Sequence, residues 1–240
     1  MSFTRMIVSK KGSINTASDF KFIGCENVMK LQKTLSAFGM IGALSFFLED
    51  ILGTVLWRGY NPITSYMSEL TADGALNVLL TRVLFYIYEI CLMIFFAAMC
   101  VKAFKIHGVC LKIGYGGLFI IAAISFLGFG LFPMTMNFIK TPKDLIHLII
   151  TIFIIAGTIL SLFLLAFGYR KQGHGRKIGR ITMLFAVLFL LFNLMHLYAI
   201  FNDSNILGLL QRLGFYTFQI YIFRLSWYYA APGNQRKSAV

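Results

Sequence analysis

Charged residues are scarce in this 240-residue chain, where they make up 13% of all residues. Soluble domains carry roughly 25%. Acidic residues are the rarer charged class, with nine Asp and Glu against 22 Lys and Arg. Hydrophobic residues account for 58% of the chain, and 25 of them are Phe. A soluble domain of this length needs a polar surface that such a composition does not supply, so the composition predicts an integral membrane protein.

Motifs of several common protein classes are also missing. The four cysteines, Cys25, Cys91, Cys100 and Cys110, form no CxxC pair, and they indicate neither a zinc knuckle nor a disulfide framework. There is no HExxH or GxSxG motif, and residues 1–28 lack the apolar core of a signal peptide. The net charge of +13 does not predict a nucleic-acid partner, because the basic residues lie in short loops between apolar runs.

Six apolar segments are long enough to cross a bilayer as an α-helix, which takes about 20 residues. Strands are excluded, because the segments show no alternation and an open sheet would leave backbone groups unpaired in lipid. The predicted fold class is therefore all-α, a six-transmembrane-helix bundle. A basic segment, 1–34, and a short tail, 232–240, flank the transmembrane domain, 35–231. The predicted spans are Leu35–Trp57, Val78–Val101, Ile113–Phe132, Leu145–Gly168, Ile178–Ile200 and Leu207–Ala231.

The basic residues are distributed unequally between the two sides of this bundle. Fifteen Lys and Arg lie in the N-terminal segment, in the loops after spans two and four, and in the tail. Only Arg58, Lys140 and Lys143 lie in loops on the other side. Because cytoplasmic loops carry the excess of Lys and Arg, both termini are predicted to be cytoplasmic. The protein is then expected in the inner, or cytoplasmic, cell membrane, with the loop 58–77 on the outside.

Polar residues near the outer ends of the spans are costly in lipid, so their presence there indicates a structural or functional role. They come from five of the six spans, and the 58–77 loop adds more. We expect them to gather at one depth beneath that loop. Deeper in the bilayer, Glu89 and Arg224 are predicted to form a buried ion pair, since a lone charge there costs several kcal/mol. The candidate ligand-binding residues are Glu49, Asp50, Asn61, Ser68, Glu69, Arg82, His147, His196 and Arg212.

Several interpretations of this cluster stay open. The preferred hypothesis is a non-enzymatic protein that binds a lipid or small amphiphile in an outward-facing polar pocket under the loop. A second interpretation is structural: the charges neutralise one another and the histidines cap helix ends. A third is a membrane-embedded hydrolase or transferase, in which His147, His196 and Glu69 hold zinc or Ser68 acts as nucleophile. A small transporter ranks last, because it needs a polar path across the bilayer.

Each histidine stands alone on its span, without a second ligand at helical spacing, so no metal and no cofactor is predicted. The expected partners are membrane lipids. A homo-oligomer is also left open.

The loop itself resembles a known family. "RGYNPITSYMSELTADGA", residues 58–75, is similar to the Y-[ND]-P-x-x-x-x-[IM]-S-[ED]-L stretch of domain-of-unknown-function family 998. "LFPM", "LIHLI" and the last hairpin resemble later segments of that family, so the resemblance covers roughly residues 35–230. It implies a six-helix bacterial or archaeal membrane protein of unassigned activity. It also singles out Asn61, Pro62, Ser68, Glu69 and His147 as positions to test.

Overall fold

The computed structural model describes residues 16–136, 141–172 and 175–231, with side chains from residue 33 onward apart from that of residue 106. Within these ranges there is no β-strand, and the only extended pairing is an isolated bridge between Asp73 and Thr135. The predicted all-α fold is confirmed. The helices are α1 (Thr16–Leu56), α2 (Val78–Ile106), α3 (Val109–Leu131), α4 (Pro142–Lys171), α5 (Arg176–Phe201) and α6 (Leu207–Ala230).

Five of these helices are long and apolar enough to cross a membrane: α1 from Lys33 onward, and α2 to α5. The molecule is therefore a multi-pass membrane bundle. Helix α6 falls short of the same criterion, since it contains Arg212, Gln219 and Arg224. Arg212 and Gln219 are nevertheless buried against the other helices, so their polar groups lie inside the bundle.

Helices α1 to α5 each extend beyond at least one end of their predicted spans, because polar residues are tolerated where a helix leaves the hydrocarbon region. Helix α6 matches its predicted span, Leu207–Ala231, to within one residue. Helix α1 begins at Thr16, upstream of the boundary predicted at residue 34. Helix α4 begins at Pro142, where Thr141 Oγ1 accepts a hydrogen bond from the Asp144 N–H at 3.2 Å. Residues 1–15 of the predicted N-terminal segment and the predicted tail 232–240 lie outside the described residues.

The six helices form a closed ring. Each helix packs against its neighbours along the chain, and α6 packs back against α1. The outside of the ring is apolar, with large side chains exposed on several helices, such as Val55 at 72% and Leu79 at 78%. Such a surface suits lipid rather than water.

Glycines bring neighbouring helices close together. A Cβ on Gly117 of α3 would lie 2.6 Å from Ser161 Oγ of α4, and one on Gly114 would lie 2.7 Å from Leu165 Cδ2. These two glycines of span three therefore do serve close helix packing, as expected for small residues in membrane helices. Gly116 does not, because a Cβ there would meet nothing within 4 Å.

Candidate functional site

Residues 57–77, called the lid below, cover the end of the ring where α1 ends and α2 begins. Two turns with positive φ, at Gly59 (91°) and Gly74 (96°), reverse the chain direction. Between them a short 3₁₀-helix, η1 (Met67–Thr71), buries Met67 and Leu70 against the ring. The lid is thus a packed element and not a free tether.

Helix α6 holds one side of the lid. Gln211 Oε1 accepts a hydrogen bond from the Met67 N–H at 2.7 Å. Arg212 Nη1 donates to the carbonyl oxygens of Pro62, at 2.7 Å, and of Ser65, at 3.1 Å. Gln211 and Arg212 are adjacent on α6, and together they provide hydrogen-bond partners for three backbone groups of the lid.

The same arginine forms a buried ion pair with α1. Arg212 Nη2 lies 2.9 Å from Asp50 Oδ1, and Arg212 Nε lies 3.1 Å from both carboxylate oxygens. Tyr216 donates its hydroxyl to Asp50 Oδ2, and Arg212 Nη2 donates to Tyr60 Oη at 2.5 Å. Burial raises the pKa of Tyr60 to about 12. With these partners, Arg212 and Asp50 anchor the lid and have little capacity left for a ligand.

The other side of the lid is held by Asp73. Its carboxylate accepts from Arg82 Nη2 of α2 at 2.6 Å and from Lys143 Nζ of α4 at 2.5 Å. Its backbone N–H donates to Met134 O at 2.9 Å. The hydrogen bonds from Arg82 and Lys143 hold the pKa of Asp73 below its ordinary value. Because Asp73 is exposed, these charges position the lid more than they stabilise the fold.

Beneath the lid, the ring surrounds a partly open cavity of about 240 Å³ to which the lid and all six helices contribute. The part far from the lid is apolar apart from Thr158. We call it the floor; it is lined by Leu92, Phe96, Leu118, Phe189 and Phe218. A small cavity that is polar at one end and apolar at the other is suited to an amphiphilic ligand.

Two carboxyl groups face this cavity. Glu49 of α1 and Glu89 of α2 both line it, and they are 3% and 2% exposed. Ser125 Oγ of α3, also in the lining, donates to Glu89 Oε1 at 2.5 Å. Glu89 Oε2 is buried and has no hydrogen-bond partner among the described residues. A buried oxygen of this kind normally has a partner, so it marks a point where a ligand can donate.

The two histidines that line the cavity are each fixed by a backbone carbonyl. His147 Nδ1 lies 3.0 Å from Phe132 O, and His196 Nδ1 lies 3.1 Å from Leu207 O. A carbonyl oxygen only accepts, so Nδ1 carries the hydrogen, and in the neutral ring Nε2 remains an acceptor. No group of three or more His, Cys, Asp or Glu that could hold a metal ion is found among the described residues.

The nine predicted ligand residues therefore divide into two sets. Glu49, Ser68, His147 and His196 line the cavity. The other five point elsewhere: Asp50 and Arg212 pair with each other, and Arg82 pairs with Asp73. Glu69 Oε1 accepts from the Tyr66 N–H at 3.0 Å, and Asn61 Oδ1 accepts from the Ile63 N–H at 2.9 Å.

The predicted ion pair between Glu89 and Arg224 is not formed. Arg224 is exposed on the outside of α6, where its long side chain can extend toward the membrane interface, and Glu89 is instead bound by Ser125. Gln219 is buried, but its Nε2 donates to Tyr88 Oη at 2.8 Å. The polar path that a transporter would need through Glu89, Gln219 and Arg224 is therefore not continuous.

A second buried polar group, at the end of the ring opposite the lid, was not predicted. Tyr115 and Tyr169 share a hydrogen bond between their hydroxyls, and the Tyr169 and Tyr229 hydroxyls lie 2.6 Å apart. Lys102 Nζ lies 4.1 Å from the centroid of the Tyr229 ring. These residues come from α2, α3, α4 and α6, so no spacing along the chain could have indicated that they meet.

No curated protein and no solved structure matches this chain. A family model described as "Protein of unknown function (DUF998)" matches residues 40–228. That range holds the lid and every residue that lines the cavity. Since the match covers well over half of the 240 residues, the chain belongs to the DUF998 family of proteins of unknown function.

Proposed function

We propose that this protein binds a single-chain amphiphile inside the ring, with the polar head beneath the lid and the apolar tail against the floor. The observation that supports this function is the polarity gradient of the cavity beneath the lid. Polar side chains, among them Glu49, Ser68 and His147, line its lid end, and Phe and Leu side chains line its floor. Ligand cavities are typically apolar with a few convergent polar groups.

The size of the cavity favours a small ligand. At about 240 Å³ it lies just below the 300–1,000 Å³ typical of pockets for drug-sized molecules. One acyl or alkyl chain is therefore a better candidate than a two-chain phospholipid. The unequal distribution of Lys and Arg supports the cytoplasmic membrane as the site of binding, with the lid on the outer side.

Native mass spectrometry of protein released from a mild detergent tests the proposal. We expect wild type to retain an adduct of lipid size. Ala122→Leu adds bulk at a buried position in the cavity lining, so the adduct should be lost. Ala156→Leu makes the same change on the exposed surface of α4 and should retain it.

His147→Ala removes a polar group from the lid end and should weaken retention without abolishing it. A bare wild-type protein, or an adduct that Ala122→Leu retains in full, would contradict ligand binding in the cavity. Circular dichroism at the same detergent concentration verifies that each variant is helical, so that loss of the adduct is not loss of the fold.

A further inference from the structure

The cavity presents hydrogen-bond acceptors without any permanent positive charge. Its lining includes two carboxyl groups and two histidines, but neither Lys nor Arg among the described residues. The nearby arginines are turned away: Arg82 binds Asp73, and Arg212 binds Asp50. A phosphate or carboxylate head would therefore lie beside Glu49 and Glu89 with no cation to bind it, which disfavours anionic lipids.

The two carboxyl groups lie at successive levels of the ring. Glu49 is seven residues before the end of α1, and Glu89 is eleven residues after the start of α2. At 1.5 Å per residue, they lie about 10 Å and about 16 Å below the lid end of their helices. They are also within electrostatic range of each other. Two like groups in one apolar cavity favour the entry of a positive charge between them.

Aromatic rings line the cavity at the depth of these two carboxyl groups. Phe46 lies three residues before Glu49 on α1 and hence on the same face. Its ring centroid lies 5.1 Å from that of Tyr88 and 6.1 Å from that of Phe215, and all three rings line the cavity. Aromatic faces attract ammonium groups, and they do so more strongly where water is excluded.

We infer that the head group of the bound amphiphile is a primary ammonium held between Glu49 and Glu89, with its alkyl chain on the floor. An ammonium has three donors and no acceptor, which matches the unpartnered Glu89 Oε2, the Glu49 carboxyl and the acceptor nitrogens of the histidines. This inference rests on the proposed function, and it names the chemical class of ligand for the same cavity.

The test uses the full chain in lipid nanodiscs, titrated calorimetrically with three probes that share one saturated alkyl chain. The probes carry a primary amine, an alcohol or a phosphate as head, and empty nanodiscs correct for partition into lipid. We expect the amine to bind most tightly and the phosphate not at all. Glu89→Gln should weaken amine binding about tenfold and alcohol binding less than about twofold, since a charge-assisted bond is roughly twice as strong as a neutral one.

Two further variants make the comparison interpretable. Glu49→Gln should also weaken the amine selectively, and it carries the test if Glu89→Gln does not fold. Asp203→Asn removes a carboxylate from the exposed turn between α5 and α6 and should leave all affinities unchanged; Asn tolerates the positive φ of 46° there.

Equal affinities for amine and alcohol, with no effect of Glu89→Gln, would overturn the ammonium inference and leave amphiphile binding intact. If both Gln variants lose affinity equally for every probe that wild type binds, the ammonium inference is also overturned, because general damage to the cavity would then explain the loss. If wild type binds none of the three probes and also retains no adduct in native mass spectrometry, the proposed function is contradicted as well.

Discussion

At the residue scale, the buried pair of Arg212 and Asp50 connects two helices and the lid. It joins α6 to α1 where the ring closes, and the same guanidinium binds two lid carbonyls. Both side chains are almost fully buried. Removing one partner would leave the other charge buried without compensation, which is far more costly than removing both.

We therefore expect Arg212→Ala to lower the free energy of unfolding by about 3–5 kcal/mol. The double variant Asp50→Leu with Arg212→Met leaves no buried charge at this site, so its free energy of unfolding should fall markedly less. Thermal unfolding in detergent measures both. The single variants Asp50→Leu and Arg212→Met complete the cycle. If the double variant loses the sum of their two losses, Asp50 and Arg212 are not coupled.

Glu69 gives a pH-dependent prediction outside the membrane spans. Burial raises the pKa of Glu69, even though the Tyr66 N–H donates to its carboxyl group. A carboxyl group whose folded pKa exceeds its unfolded value, near 4.3, costs stability when ionised, and the cost disappears as the pH falls below both values. Glu69→Gln keeps the acceptor oxygen and removes the charge.

The variant should consequently melt at a higher temperature than wild type at pH 7. That difference should close as the pH falls toward 4. Melting curves recorded across this pH range, with Asp203→Asn as an exposed control, measure the effect. A difference that stays constant with pH would mean that the gain does not come from the charge of Glu69.

Residue types could be predicted from the sequence, but the direction in which each side chain points could not. The cost of polar groups in lipid singled out Glu49 and Asp50, and both side chains are buried inside the bundle. Neighbouring residues on an α-helix point about 100° apart, and only packing decides that Glu49 faces the cavity while Asp50 faces Arg212. Ser125 was missed because a serine in a membrane helix carries no signal until its partner, Glu89, is known.

At the element scale, the lid and α6 approach each other at a glycine. A Cβ on Gly208 would lie 2.1 Å from Ser65 O and 2.6 Å from Pro62 O. These are backbone atoms, which cannot rotate out of the way as a flexible side chain can. Any larger residue at this position must displace the lid or α6.

Gly208→Ala is expected to cost about 1–3 kcal/mol, the usual range for overpacking. It should also expose the lid to proteolysis. Limited digestion in detergent, with cleavage mapped by mass spectrometry, tests this. Gly116→Ala on α3 is the matched control, because a Cβ there meets nothing within 4 Å. Equal cleavage of the two variants would contradict close docking of the lid at Gly208.

Six helices could be predicted from apolar run length, but the docking of the lid could not. Run length is a local property that the bilayer imposes on each segment separately. The lid is instead fixed by contacts such as the hydrogen bond from Met67 to Gln211, whose residues are 144 positions apart in the chain. The early start of α1, at Thr16, was also missed, because hydropathy marks the span within a helix and not the helix itself.

At the scale of the whole molecule, the ring explains why α6 is less apolar than its neighbours. It closes the ring between α5 and α1, and its buried Arg212 and Gln219 bind groups on α1, α2 and the lid. Hydropathy assigns spans one at a time and cannot report which helices become neighbours. The closure of α6 onto α1 is therefore a property that only the folded molecule reveals.

Whether α6 crosses the membrane can be decided by cysteine labelling of a variant that lacks the four native cysteines. Asn202→Cys lies in the exposed turn before α6, Lys171→Cys is exposed at the end of α4, and a third cysteine is appended after residue 240. The distribution of Lys and Arg predicts that an impermeant maleimide labels Asn202→Cys in intact cells. The other two cysteines should react only after permeabilisation.

Labelling of the appended cysteine and of Asn202→Cys on the same side would mean that α6 lies within the bundle without crossing. If all three cysteines react from the side opposite to the one expected, the bundle has the inverted orientation and the lid lies in the cytoplasm. In the expected arrangement, the lid lies on the outer side of the membrane. The ion pairs that hold it, Arg82 and Lys143 with Asp73 and Arg212 with Asp50, lie at that end of the ring. An amphiphile that enters past the lid would then come from the outer side.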